Sequence, residues 1–304
     1  NWTGSLCFDE RDFLSLGQFT PSHGVNYITV YINTRNGQVD GNHTNDTIKY
    51  VGYACDSLLH GDYTIGGANP DFATMADAKL ALSYCGINGP TTFHLRPGTY
   101  QDFDFRSNYP GQSETNTITF QGDNVNTVIV TNNHADTNTN VYGAVTLINP
   151  VNTTTLSNFR FKNLTIQGNN AAVSRGVVIR GNACTDVVFD GCIITANPTN
   201  TTVNTSVVFG RTVAPTSTPD EVKLQNCTLT GGNYGIYYLG TSARRNTLEV
   251  ANCNINSCYR GVQTSYTNTN IHNNHIIMVS SSNFSFNGLN AFSSTVGIFL
   301  PLLM

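Results

Sequence analysis

The chain has 304 residues, only 11% of them charged, and a formal net charge of -4. That charge is too weak and too scattered for a nucleic-acid surface: Arg244-Arg245 is the one adjacent basic pair. No apolar run reaches the roughly 18 residues of a membrane-spanning helix, and 39% hydrophobic residues with so small a net charge exclude a disordered chain. The sequence contains 39 Asn and 40 Thr, roughly a quarter of the chain. Thr favours strands and Asn favours turns, so the composition predicts many short strands joined by polar turns.

Residues 1–60 open with "YITVYI" (27–32), an alternating strand, then an Asn-Gly turn within 34–46 and a second strand in "DTIKYVGY" (46–53). This reads as the back part of a β-sandwich, since a complete one needs about 100 residues. One helix is predicted at about 74–85, inside "YTIGGANPDFATMADAKLAL". Thr74 is the N-cap and Asp77 returns its hydrogen bond. Ala78, Ala81, Leu82 and Cys85 form one apolar stripe, and Gly86 stops the helix. Strands follow in "GPTTFHLRPGTYQDFDF" (89–105), "NTITFQGDN" (116–124) and "NTVIV" (126–130).

From 143 the chain repeats itself. A small residue followed by apolar alternation recurs at 143, 176, 206, 235, 261 and 297. A second element, apolar-x-apolar-x-Asn/Gly-Leu/Cys-x-apolar, recurs as "FRFKNLTI" (159), "VVFDGCII" (187), "VKLQNCTL" (222) and "LEVANCNI" (248), with a weaker copy at 271. Short strands in repeats of about 23 to 36 residues, with no helix inside, predict a solenoid. The expected fold is all-β: a right-handed parallel β-helix over 61–304, with the helix covering the open core and unpaired edge of its first coil. A β-propeller blade needs about 40 residues and four strands, which fits less well.

The stretch from "YTIGGANPDFATMADAKLAL" to "CGINGPTTFHLRPGTY" resembles the start of right-handed parallel β-helix domains of the pectin lyase-like superfamily. There an F-x-T-hydrophobic-x-x-A helix leads into a strand and a P-G-T-Y turn. The look is nearest to β-helix modules of large secreted bacterial surface proteins of the adhesin type. The residues before it are similar to the back half of an Ig-like adhesion module. The resemblance spans roughly 1–130 by motif. It implies a fold and a secreted setting, not one activity, because this fold carries lyases, esterases, hydrolases and inert stalks.

The carboxylate and Arg patterns that such enzymes use do not stand in this sequence. From 143 onward the carboxylates are Asp186, Asp190, Asp220, Glu221 and Glu249. Asp186 and Glu221 take equivalent places before their strands and are weak candidates for a Ca²⁺ ladder. Cys192, Cys227 and Cys253 take one inward position in successive repeats, as stacked core residues, and Asn163, Asn226 and Asn252 just before them suggest an asparagine ladder in the core. Cys55 and Cys85 flank the helix and are expected to pair. Tyr234, Tyr237, Tyr238 and Tyr259 are the aromatic cluster to test for glycan contact. No catalytic residue and no cofactor is expected.

The leading expectation is an extracellular structural or adhesive surface module, possible as a filament subunit. The alternatives are a carbohydrate-active β-helix enzyme of lyase or esterase type and a non-catalytic glycan-binding module. Expected partners are other copies of the chain or further domains, through strand pairing at the two ends, and polysaccharide. The strand beginning at Gly297 ends as an open edge in this reading.

Overall fold

The computed structural model describes residues 12–34, 38, 44, 47–101, 103–132, 143–149, 156–168, 175–181, 184–197, 205–212, 220–241, 246–258 and 260–278. Gly297, Cys7 and Tyr259 lie outside these residues. The chain divides into two compact units, Asn1–Asp56 and Ser57–Met304. In the first, Gly24–Tyr31 and Thr47–Ala54 form a two-stranded antiparallel ribbon, with Tyr27 opposite Val51 and Ile28 opposite Tyr50. Tyr27, Tyr31, Ile48 and Tyr50 are exposed.

The second unit is a right-handed parallel β-helix of three sheets. Sheet A holds, in spatial order, Leu59–Ile65, Ile87–Leu95, Ile118–Gly122, Leu156–Lys162, Cys184–Asp190, Glu221–Gln225, Asn246–Ala251 and Thr267–His272. Sheet B holds Gly98–Tyr100, Val128–Thr131, Thr165–Gln167, Ile193–Thr195, Thr228–Thr230, Asn254–Cys258 and His275–Met278. Sheet C holds Asp104–Phe105, Val145–Asn149, Val177–Gly181, Ser206–Thr212, Tyr234–Leu239 and Arg260–Ser265. Each of the six coils from Ile87 to Ser265 contributes one strand to each sheet, so equivalent residues of successive coils stack roughly 4.7–4.9 Å apart.

That stacking builds the core. On sheet A, Tyr63, Phe93, Phe120, Phe161 and Phe189 occupy one inward column. Their successive ring centroids lie 5.8, 5.3, 5.9 and 4.9 Å apart, with planes within 28° of parallel. Leu224, Val250 and Ile271 continue the column. On sheet C, Gly210 stands opposite Tyr238, and a Cβ there would lie 2.0 Å from the Tyr238 ring. The small residue in "VVFGR" makes room for the aromatic of the next coil.

The helix runs Met75–Cys85, with the full Thr74–Asp77 capping box and Gly86 at its end with φ 68°. Its Met75, Ala78, Ala81 and Leu82 are buried. Lys79 Nζ donates to the Asp104 carbonyl at 2.7 Å. The helix thus packs where the Leu59–Ile65 strand ends sheet A, as the sequence predicts.

The asparagine expectation needs correction. Asn163, Asn226 and Asn252 are exposed, not in the core. With Gly191 and Asn273 they form a column of left-handed turn residues between sheets A and B, with φ from 52° to 64°. Short side chains that bond locally, or none, tolerate that region best. The repeated Asn therefore marks a backbone conformation, and main-chain bonds such as Asn163 N–H to Asp190 O at 3.1 Å join successive turns. Asn274 and Asn246 are among the buried carboxamides. Asn274 Oδ1 accepts from the Cys253 N–H at 2.7 Å, and its Nδ2 donates to the Val250 carbonyl at 2.7 Å. Asn246 Oδ1 accepts from the Asp220 N–H at 3.0 Å.

Cys192, Cys227 and Cys253 do stand in the core, each 1% exposed and reduced. Cys184 is also buried and reduced.

Candidate functional site

The sheet registers sort the outward side chains of the solenoid into two contrasting faces. Sheet A presents charge. Asp62 pairs with His94 at 3.1 Å, Arg160 with Asp186 at 2.5 Å, and Lys223 with Glu249 at 3.0 Å. His272 Nε2 lies 3.4 Å from the same Glu249 carboxylate. Asn226 Nδ2 donates to Asp190 Oδ1 at 2.8 Å. Burial works to raise the Glu249 carboxyl, but hydrogen bonds and charge from Lys223 and His272 outweigh it and hold it below its ordinary value.

The Ca²⁺ ladder expectation is corrected here. Asp186 and Glu221 do stand one residue before the paired Val187 and Val222. The Asp186 carboxylate, however, is engaged by the Arg160 guanidinium, whose other nitrogen donates to the Asp186 carbonyl. Glu221 is exposed. Arg160 is the second residue of "FRFKNLTI", and its pairing across one coil is invisible without the register. Among the described residues no group of three His, Cys, Asp or Glu side chains is placed to hold one metal ion.

The aromatic cluster is also corrected. Tyr238 is fully buried, and its hydroxyl donates to Asp220 Oδ2 at 3.2 Å. Tyr234 is 2% exposed, accepts a hydrogen bond from Arg260, and packs 4.8 Å from the Tyr237 ring. Tyr237 is half-buried and stacks on Phe209 at 6.0 Å. The Arg175 guanidinium lies over the Phe209 ring at 3.9 Å, and burial together with nearby Arg180 lowers its pKa to about 10. These rings pack against the protein, so Tyr234 and Tyr238 are unavailable to a glycan.

Sheet B presents no such charge along one stretch. Gln167, Thr195 and Thr230 lie in register on adjacent strands. With Asn197 and the main chain of Gly168, Ala196 and Gly231 they line an open groove of about 350 Å³. The groove wall is fixed by coil-to-coil bonds: Gly168 N–H to Thr195 O at 3.0 Å, Ala196 N–H to Thr230 O at 3.0 Å and Gly231 N–H to Asn256 O at 3.3 Å. The side chains facing it are hydroxyls and carboxamides, which both donate and accept. The sequence carries their signal: each follows a turn Asn or Gly by four residues, in "NLTIQ", "GCIIT" and "NCTLT". The turn drew attention there, and the polar residue after it did not.

No protein-family model matches the chain, and no curated protein matches it. Solved structures that it is similar to are pectin methylesterases. The deglycosylated Aspergillus niger enzyme matches at 15% identity and TM-score 0.42, over 76% of this chain and 70% of that one. A form of it with an N-acetylglucosamine stub matches at 15% and 0.41, over 76% and 69%. The carrot enzyme matches at 13% and 0.39, over 75% and 86%.

Proposed function

We propose that the chain is an extracellular structural and adhesive module that holds a polysaccharide along its solenoid without cutting it. The observation behind this reading is the uncharged groove of Gln167, Thr195, Asn197 and Thr230, set on a rigid repeat. Sugar hydroxyls lying across successive coils meet donors and acceptors at each one. On sheet A, Asp62, Asp186, Asp190 and Glu249 are taken up by His94, Arg160, Asn226 and Lys223, which suits a scaffold better than acid–base chemistry. Strand pairing with another copy or domain belongs to the same reading, since main-chain hydrogen bonds can extend a parallel sheet.

The test is retention of the purified chain on a panel of immobilised neutral and acidic polysaccharides. Wild type is expected to be retained by at least one hydroxyl-rich neutral chain. Thr195→Val with Thr230→Val removes two hydroxyls at nearly constant shape and is expected to weaken retention roughly ten- to hundredfold. Equal retention of the double variant, or retention only by charged chains, overturns the groove.

An extracellular setting also suits the cysteines. Cys55 and Cys85 are both disulfide-bonded. We propose that they bond to each other across the helix. Closing a loop of that length contributes about 3–4 kcal/mol in the chain-entropy account. Peptide mapping under non-reducing conditions is expected to recover the two in one linked species; recovery of either as a free thiol would remove the claim.

A further inference from the structure

We propose that Cys192, Cys227 and Cys253 form an internal site for one soft divalent cation that accepts linear, two-coordinate binding between neighbouring thiolates. The registers of Ile193, Thr228 and Asn254 place the three preceding cysteines in one column. Each thiol makes the same two contacts. It reaches back one coil, to the carbonyls of Phe161, Phe189 and Leu224 at 3.4, 3.5 and 3.6 Å. It also reaches the carbonyl two residues earlier, at 3.6, 3.2 and 3.3 Å. Equal contacts mean equal rotamers, so neighbouring sulfurs are separated by about one coil repeat, roughly 4.7–4.9 Å. Two metal–sulfur bonds of about 2.3 Å end to end span nearly that distance.

The surroundings select the charge and softness of the ion. Thiolates favour soft cations. The column is sealed, with Leu164 before it and Asn274 after it both buried, so a net charge there is costly. A divalent ion with two thiolates is neutral. Each sulfur donates to main-chain carbonyls, so the protons are on sulfur beforehand. Binding is therefore an exchange: two R–SH and Hg²⁺ give R–S–Hg–S–R and two H⁺, with no change of oxidation state. Cys227 is shared by both possible bridges and is the required member.

The experiment uses the full chain and mercuric chloride as the probe, after exposed thiols are blocked with N-ethylmaleimide under native conditions. Native mass spectrometry, the ultraviolet sulfur–mercury band and proton release are read together. One ion per chain and two protons released are expected for wild type and for Cys184→Ala, whose thiol is buried outside the column. Cys192→Ala alone and Cys253→Ala alone should still bind. Cys227→Ala is expected to lose the ion, and the double variant Cys192→Ala with Cys253→Ala to lose it as well, which keeps the test available if one of them does not fold. Undiminished binding by folded Cys227→Ala or by the folded double variant, or no ion bound by wild type, overturns the site.

Discussion

Replacing Phe161 with Ala is expected to lower the melting temperature of the solenoid by about 6–20 °C. The side chain is fully buried, and its ring lies 4.9 Å from Phe189 and 5.9 Å from both Phe120 and Phe105. A large-to-small change of this kind costs about 3–5 kcal/mol, because the lost transfer energy is joined by a persistent cavity, and each kcal/mol moves the midpoint by about 2–4 °C at this size. Relaxation is restricted here. The neighbouring rings belong to coils whose backbones are fixed by ladders on both sides, so they cannot collapse inward independently. Thermal unfolding followed by near-ultraviolet circular dichroism checks this; a shift under about 3 °C would mean that the phenylalanine column is not the main support of the coils.

The second large effect is at Asp220, a fully buried carboxylate. Its Oδ1 accepts from the Cys184 N–H at 2.9 Å and its Oδ2 from the Tyr238 hydroxyl at 3.2 Å. Burial and the Asp220 charge push the Tyr238 hydroxyl well up, so it stays a donor. Asp220→Ala orphans two buried donors, each costing about 1–3 kcal/mol, so a loss of roughly 2–6 kcal/mol is expected. Asp220→Asn keeps the shape and one acceptor and should lose less. Urea midpoints of the two variants decide it: equal midpoints for Asp220→Ala and wild type would show that the pair of bonds contributes nothing net.

The fold was legible because its signals are local or periodic. The capping box at Thr74 and Asp77, the stop at Gly86 and the recurring inward positions of Cys192, Cys227 and Cys253 are each read within a few residues. The column of Phe93, Phe120, Phe161 and Phe189 follows once the repeat is aligned. The site was less legible, for two physical reasons. Asn at the turn has two meanings in sequence, a ladder in the core or a left-handed turn, and only φ separates them. Outward partners such as Arg160 and Asp186 lie 26 residues apart and meet only through the coil register. Tyr234 and Tyr238 in "NYGIYYL" alternate as strand residues should, but Arg260 and the gap at Gly210, both on neighbouring coils, decide what covers them. Thr195 and Thr230 stand among 40 threonines, and their place four residues after a turn Gly or Asn sets them apart only once the repeats are aligned on that turn.

The most direct measurement of the central claim combines binding and product analysis in one sample. The purified chain is incubated with pectin and with each polysaccharide that retains it. Retention is followed by affinity electrophoresis, and the supernatant is assayed for methanol, unsaturated uronides and new reducing ends. The account predicts retention that depends on Thr195 and Thr230, with no product above the blank. Product release that is abolished by Asp186→Ala or Glu221→Ala, in protein that remains folded, would contradict it.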